Sequence, residues 1–153
     1  MKRSIYLAGA ALIALGATAA CTTATPDAPN PGGTAGVAVP DNILLADWAG
    51  PYGGLPPFDR VTPELFPPAF EFAIAERRRE IEAIANNPAA PTFANTVEAM
   101  QRAGQRLDRV GAVFGVMTSN MTNPEYQALQ REWSPRLAAA YDEIVLDPQL
   151  FAR

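Results

Sequence analysis

Residues 92–120 read TFANTVEAMQRAGQRLDRVGAVFGVMTSN, and the fold class turns on this stretch. Its apolar residues stand at Phe93, Val97, Met100, Leu107, Val110, Phe114 and Met117, with Gly104 at the one empty position of the series. Steps of three and four place them on one face of an α-helix, a stripe at least ~100° wide. Thr92 or Asn95 can cap the start, because each side chain has an oxygen that accepts a free first-turn N–H. Asn95 and Glu98, three residues apart, approximate a capping box. The spacing therefore predicts one long helix over about 92–119. A helix with one greasy face needs apolar partners, and both flanking segments have faces to match.

On the upstream side, Phe66, Phe70, Ile74, Ile81 and Ile84 give a second helical stripe, over about 62–87. Thr62 followed by Pro63 is a start signal, and Pro67-Pro68 offers another, since proline is tolerated in a first turn. Asn86-Asn87-Pro88 ends this helix, and the short connection through Pro91 predicts antiparallel packing against the next. On the downstream side, Asn123 caps and Pro124 begins a third helix over about 123–146. Its stripe runs Tyr126, Leu129, Trp133, Leu137, Tyr141, Ile144, and Pro135 inside it removes one backbone hydrogen bond and predicts a kink near Arg131 and Glu132. Asp147-Pro148 starts a further helix at 148, and the chain stops barely one turn later, which is odd for a complete domain. The fold class is all-α: antiparallel long helices following a loop. That loop, residues 41–59, pairs apolar anchors (Ile43, Leu44, Leu45, Trp48) with successive Gly and Pro, which forbid helix and sheet. No Gly-Lys-Ser/Thr follows its glycines, so they do not form a phosphate loop.

Ahead of the helices the composition changes twice. Residues 1–20 have a basic start (Lys2, Arg3), an apolar run from Ile5 to Leu15, then small residues, the layout of an export signal. The apolar run is too short to be a dependable membrane span. Small residues before the lone Cys21 resemble a bacterial lipobox, with Thr18 standing where leucine is usual. The other reading is ordinary cleavage at an A-x-A site. A free thiol surviving in an exported chain favours lipidation at Cys21. Residues 21–40 are rich in Thr, Ala, Pro and Gly, too poor in bulky apolar groups to order themselves, and read as a flexible tether. Residues 41–153 then form the helical domain of an exported, periplasmic, membrane-anchored lipoprotein.

Several chemistries are excluded. The 153-residue chain has no histidine and one cysteine, so neither an imidazole base, nor a Cys/His metal site, nor an intrachain disulfide can be built. Its net charge is −4, which becomes −6 once residues 1–20, with Lys2, Arg3 and no acid, are removed. Lys2 is the only lysine, and such a chain makes a poor nucleic-acid binder. Arg102, Arg106 and Arg109 share one face of the central helix and can act as a clamp for a peptide carboxylate. The alternative is a solvated face pairing with Glu76, Glu80 or Glu82. Glu76 and Glu80 can do acid–base work only where a cleft shifts their pKa values. Asp142 and Glu143 diverge on a helix and have no metal role. Trp48, Tyr126, Trp133 and Tyr141 can line a groove, although helical spacing places them in a core.

Asn42-Ile43-Leu44-Leu45, then Pro51-Tyr52-Gly53-Gly54-Leu55-Pro56-Pro57-Phe58-Asp59, resembles the opening of bacterial peptidyl-dipeptidases, which are thimet-oligopeptidase-like zinc metallopeptidases. Further matches are Asn86-Asn87-Pro88, Pro91-Thr92-Phe93-Ala94-Asn95-Thr96, Leu107-Asp108-Arg109-Val110, Phe114 and Asn123-Pro124-Glu125, with Ala94 where the family usually has glutamate. The resemblance runs from about Asn42 to Arg153. It implies the N-terminal part of a much longer enzyme, whose helices help wall a channel that admits short peptides. The family's zinc is held by a His-Glu-x-x-His helix and a further glutamate far downstream, so no catalytic or metal residue transfers to this chain. The expectation is a chain inactive by itself, binding no zinc, with short peptides and the remainder of the catalytic chain as partners of the whole protein. The alternative is a stand-alone helical lipoprotein that serves as a binding or scaffold module.

Overall fold

The computed structural model describes residues 37–49 and 54–153, all within one compact unit, Pro31–Arg153. The expected export signal, the expected lipidation site at Cys21, most of the expected tether and the Gly/Pro-rich residues 50–53 of the loop lie outside the described residues. Among those described, the regular structure is helical throughout: α1 Phe66–Ala85, α2 Ala99–Arg102, α3 Gln105–Asn120, α4 Pro124–Val145 and α5 Pro148–Phe151. Two 3₁₀ turns, Phe58–Arg60 and Pro63–Leu65, precede α1, and a π-helical turn, Phe93–Glu98, leads into α2. None of these helices is long and apolar enough to cross a membrane.

The entry to α1 is organised by Asn42, a buried polar residue whose bonding capacity is used on both sides. Its Oδ1 accepts from the Leu44 N–H (2.9 Å) and its Nδ2 donates to the Leu65 carbonyl (2.9 Å). The resulting Asx turn drives Leu44 and Leu45 into the core. The Trp48 indole N–H closes the loop on the Ile43 carbonyl at 3.0 Å. Gly54 follows at φ +90°, where a Cβ would lie 2.2 Å from the Trp48 carbonyl oxygen, so only glycine fits.

Phe66, Ala69, Phe70, Ala73 and Ile74 on α1 pack with Leu107, Val110, Val113, Phe114 and Met117 on α3 and with Tyr126, Trp133 and Ala140 on α4. The ring of Phe70 meets Phe114 edge-on at 5.2 Å and Trp133 at 5.1 Å, and Phe66 lies 5.0 Å from Phe114. Pairings fix the helix directions. Glu76 meets Arg106 and Phe66 meets Phe114, so α3 runs antiparallel to α1. Glu71 meets Arg136 and Arg78 meets Glu143, so α4 runs parallel to α1. Both members of the second pairing advance by seven residues, about two turns, which sets the register of α1 on α4. The three buried residues of α4, Tyr126, Trp133 and Ala140, repeat at the same interval. Asn123 caps α4 through the Tyr126 N–H (2.9 Å), Pro124 occupies its first turn, and the helix continues through Pro135.

One expectation is overturned. Residues 92–119 form not one helix but two, broken at Ala103-Gly104, where Gly104 takes φ +80°. Leu107, Val110, Phe114 and Met117 face the core as predicted, joined by Val113. Phe93, Val97 and Met100 do not: they are exposed, Phe93 by 73% and Val97 by 46%. The cause is local. The left-handed residue resets the helix phase, so the upstream stripe points away from the line of Leu107 and Val110. Thr92, one of the two expected caps, is the N-cap, but the capping box is not the expected Asn95–Glu98 pair: Thr92 Oγ1 accepts from the Asn95 N–H and Asn95 Oδ1 accepts from the Thr92 N–H. Asn95 therefore completes the capping box, and Glu98 does not.

Candidate functional site

The break at Gly104 sits in a polar layer where α1, α3 and α4 meet. The Gly104 N–H donates to Glu80 Oε2 at 2.7 Å. Arg77 crosses the glycine, so a Cβ at position 104 would lie 2.6 Å from its Cδ. From there the Arg77 guanidinium reaches over the Tyr141 ring, 4.3 Å from the centroid, and approaches Asp108 at 3.7 Å. The Tyr141 hydroxyl donates to Asp108 at 3.1 Å. One turn up, Arg106 pairs with Glu76, both largely shielded from solvent.

Burial pushes the Glu80 carboxyl above its ordinary value, and the nearby Glu76 charge adds to the rise. The Gly104 hydrogen bond and the Arg106 and Arg77 charges oppose it without cancelling it. A carboxyl raised in the folded state penalises ionisation there. Stability is lost as pH climbs from the ordinary glutamate value through the raised one, then levels off. Glu80→Gln keeps an acceptor for the Gly104 N–H and cannot ionise. It is expected to unfold at the same or higher temperature than the parent at pH 7, with the advantage vanishing below pH ~4. Thermal melts across that range check the sign.

The three arginines singled out from the sequence do not converge. The helix break separates Arg102 from the other two, and Arg102 pairs with Glu98 within its own turn at 2.5 Å. Arg106 pairs with Glu76, one of the glutamates expected as a partner. Arg109 stacks 4.4 Å from the Trp48 ring centroid, donates to the Ala46 carbonyl at 2.6 Å and lies 3.5 Å from Asp47. Each guanidinium is thus spent on a separate internal partner, and Arg109 fastens the N-terminal loop to α3.

Among the aromatics, Tyr126 and Trp133 are core, Trp48 is half-buried beneath Arg109, and Tyr141 is exposed beneath Arg77. Glu143 pairs with Arg78 in a two-pronged contact of 2.7 and 2.8 Å, which holds its carboxyl below the usual range. The crevice lined by Ile74, Arg77, Arg78, Leu107, Ala140 and Ile144 is too tight for a water molecule. Among the described residues no three His, Cys, Asp or Glu side chains stand together in a group that could hold a metal ion. Nothing in the sequence marks Arg77 as a site residue, and Gly104 shows there only as the empty position of the apolar stripe. The signal was the gap in the apolar stripe, which marked a break rather than a missing contact.

The layer accordingly locks the helices together. Over 112 residues, 73% of its length, the chain is 45% identical to the dipeptidyl carboxypeptidase of Salmonella typhimurium. Over 98 residues, 64% of its length, it is 42% identical to the dipeptidyl carboxypeptidase of Escherichia coli. This chain is similar to dipeptidyl carboxypeptidases. The matches occupy 16% and 14% of those enzymes, so the chain spans about one-sixth of the length of the curated relatives it matches. No protein-family model matches it.

Proposed function

We propose that residues 41–153 are the N-terminal helical region of an exported, peptidyl-dipeptidase-like zinc metallopeptidase, and that they form part of the wall of the channel admitting short peptides. The observation that carries this reading is the 45% identity to a dipeptidyl carboxypeptidase over 112 residues. The zinc and its general base belong to the remainder of the catalytic chain, since this region has no histidine to offer. Its contribution is a rigid surface: three long helices locked in register by Glu71–Arg136, Arg78–Glu143 and Glu76–Arg106. The export-signal layout of residues 1–20 and the lipobox-like Cys21 support a periplasmic enzyme on a lipid anchor, with residues 21–40 as the tether.

A chimera tests the reading. Residues 42–153 replace the matching segment of the Salmonella enzyme, and the purified product is assayed for release of C-terminal dipeptides. Retention of kcat/KM within about tenfold, a barrier change of ~1.4 kcal/mol, is expected. The 153-residue chain alone is expected to hydrolyse nothing. A folded, zinc-loaded chimera that has lost activity by more than about a thousandfold would overturn the reading.

A further inference from the structure

We infer that the outward face of the Phe93–Glu98 turn and α2, together with the exposed residues around α5, is the surface on which the remainder of the catalytic chain packs. This rests on the peptidase reading above and adds the place of contact.

The segment is built inside out. Its small residues, Thr96, Ala99 and Ala103, are turned inward, the two alanines against Ile81, Ile84 and Leu150. Its bulky ones, Phe93, Val97 and Met100, stand outside in steps of four and three, which makes one stripe. A helix serving only its own core would show the reverse arrangement. At the same end of the bundle, Leu150 of α5 plugs the inner cluster while Phe151 is 89% exposed, next to the exposed Val145 and Leu146. Arg153 ties the two parts together. Its guanidinium donates to the carbonyls of Asn87 and Ala89 and to Asn95 Oδ1, the last at 3.2 Å, so α5 ends against the start of the π-helical turn. Six large apolar side chains gathered at one end exceed the scatter expected of a free surface.

The occupant follows from charge and from length. A membrane-seeking face is fringed with Lys and Arg. Here the charges at its edge are Glu98 paired with Arg102, neutral as a unit, and Arg153, whose guanidinium is turned onto the Asn87 and Ala89 carbonyls, in a chain whose only lysine is Lys2. Five-sixths of each similar enzyme lies outside the matched stretch, and a covalently joined neighbour covers such a face at little entropic cost. The partner is therefore an apolar, charge-poor face of that remaining chain.

Cysteine labelling reads the contact directly. Val97→Cys and Phe151→Cys, each with Cys21→Ser, are placed in the 153-residue chain, and the same Val97 and Phe151 replacements in the chimera. Maleimide rates are normalised to the unfolded proteins. Labelling at least about tenfold slower in the chimera than in the isolated chain is expected. Equal rates in an active chimera overturn this inference and leave the peptidase reading standing. A folded but inactive chimera overturns the peptidase reading, and the assigned occupant goes with it. Slow labelling in the isolated chain that quickens on dilution points instead to a second copy and overturns the inference.

Discussion

Phe70→Ala is expected to remove about 3–5 kcal/mol of stability, the cost of emptying a large aromatic site in a core. The ring is fully buried and lies where three helices converge, 5.9 Å from Phe66, 5.2 Å from Phe114 and 5.1 Å from Trp133. Trp133 and Phe114 are themselves buried and belong to different helices, so neither can collapse into the gap without dragging α3 or α4 with it. Domains of this size are held by only ~5–15 kcal/mol, and the loss should bring the chain close to its unfolding midpoint. Phe93→Ala is the matched control. It belongs to an apolar stripe of the same spacing yet is 73% exposed, and its removal should change stability by no more than ~0.5 kcal/mol. Urea unfolding followed by far-ultraviolet circular dichroism separates the two. A Phe70→Ala loss below ~1 kcal/mol would mean that the core is centred elsewhere.

The contrast between these two phenylalanines shows what periodicity could and could not reveal. The all-α class was legible because each long segment repeats apolar residues at helical spacing, and capping residues stand where helices begin: Thr92, Asn123 and Asp147 all cap through their side chains. The core residues of α1 and α3 followed from the same stripes. Periodicity says which residues share a face, however, and not whether that face belongs to one helix or two. Nothing local to residues 92–120 announces that a carboxylate 24 positions upstream will accept the Gly104 N–H. The site was less legible for the same reason. Arg102, Arg106 and Arg109 share a face only on an unbroken helix, and their real partners, Glu98, Glu76 and the Ala46 carbonyl, are set by the break and by the loop folded over α3. Tyr141 lay on the predicted stripe of α4 but is exposed, because Arg77 and Asp108 give its ring and hydroxyl polar company at the surface.

Two glycines on this stretch should therefore respond to alanine with opposite signs. Gly104→Ala is expected to destabilise by about 2–3 kcal/mol. A side chain at φ +80° costs ~1–2 kcal/mol by itself. The new Cβ would also lie 2.6 Å from Arg77 Cδ and 2.8 Å from its Nε, which forces the guanidinium off Tyr141 and Asp108. Arg77 is flexible enough to move, so the added loss is that of its contacts and not of a rigid clash. Gly111 stands two turns further along, inside α3, and a Cβ there meets nothing within 4 Å. Gly111→Ala should stabilise by about 0.5–1 kcal/mol, because alanine loses less backbone freedom in a helix. Denaturant midpoints of the two variants decide the point. Were Gly104→Ala as stabilising as Gly111→Ala, the left-handed break would have no energetic hold, and residues 92–119 would be free to form the single helix that their spacing describes.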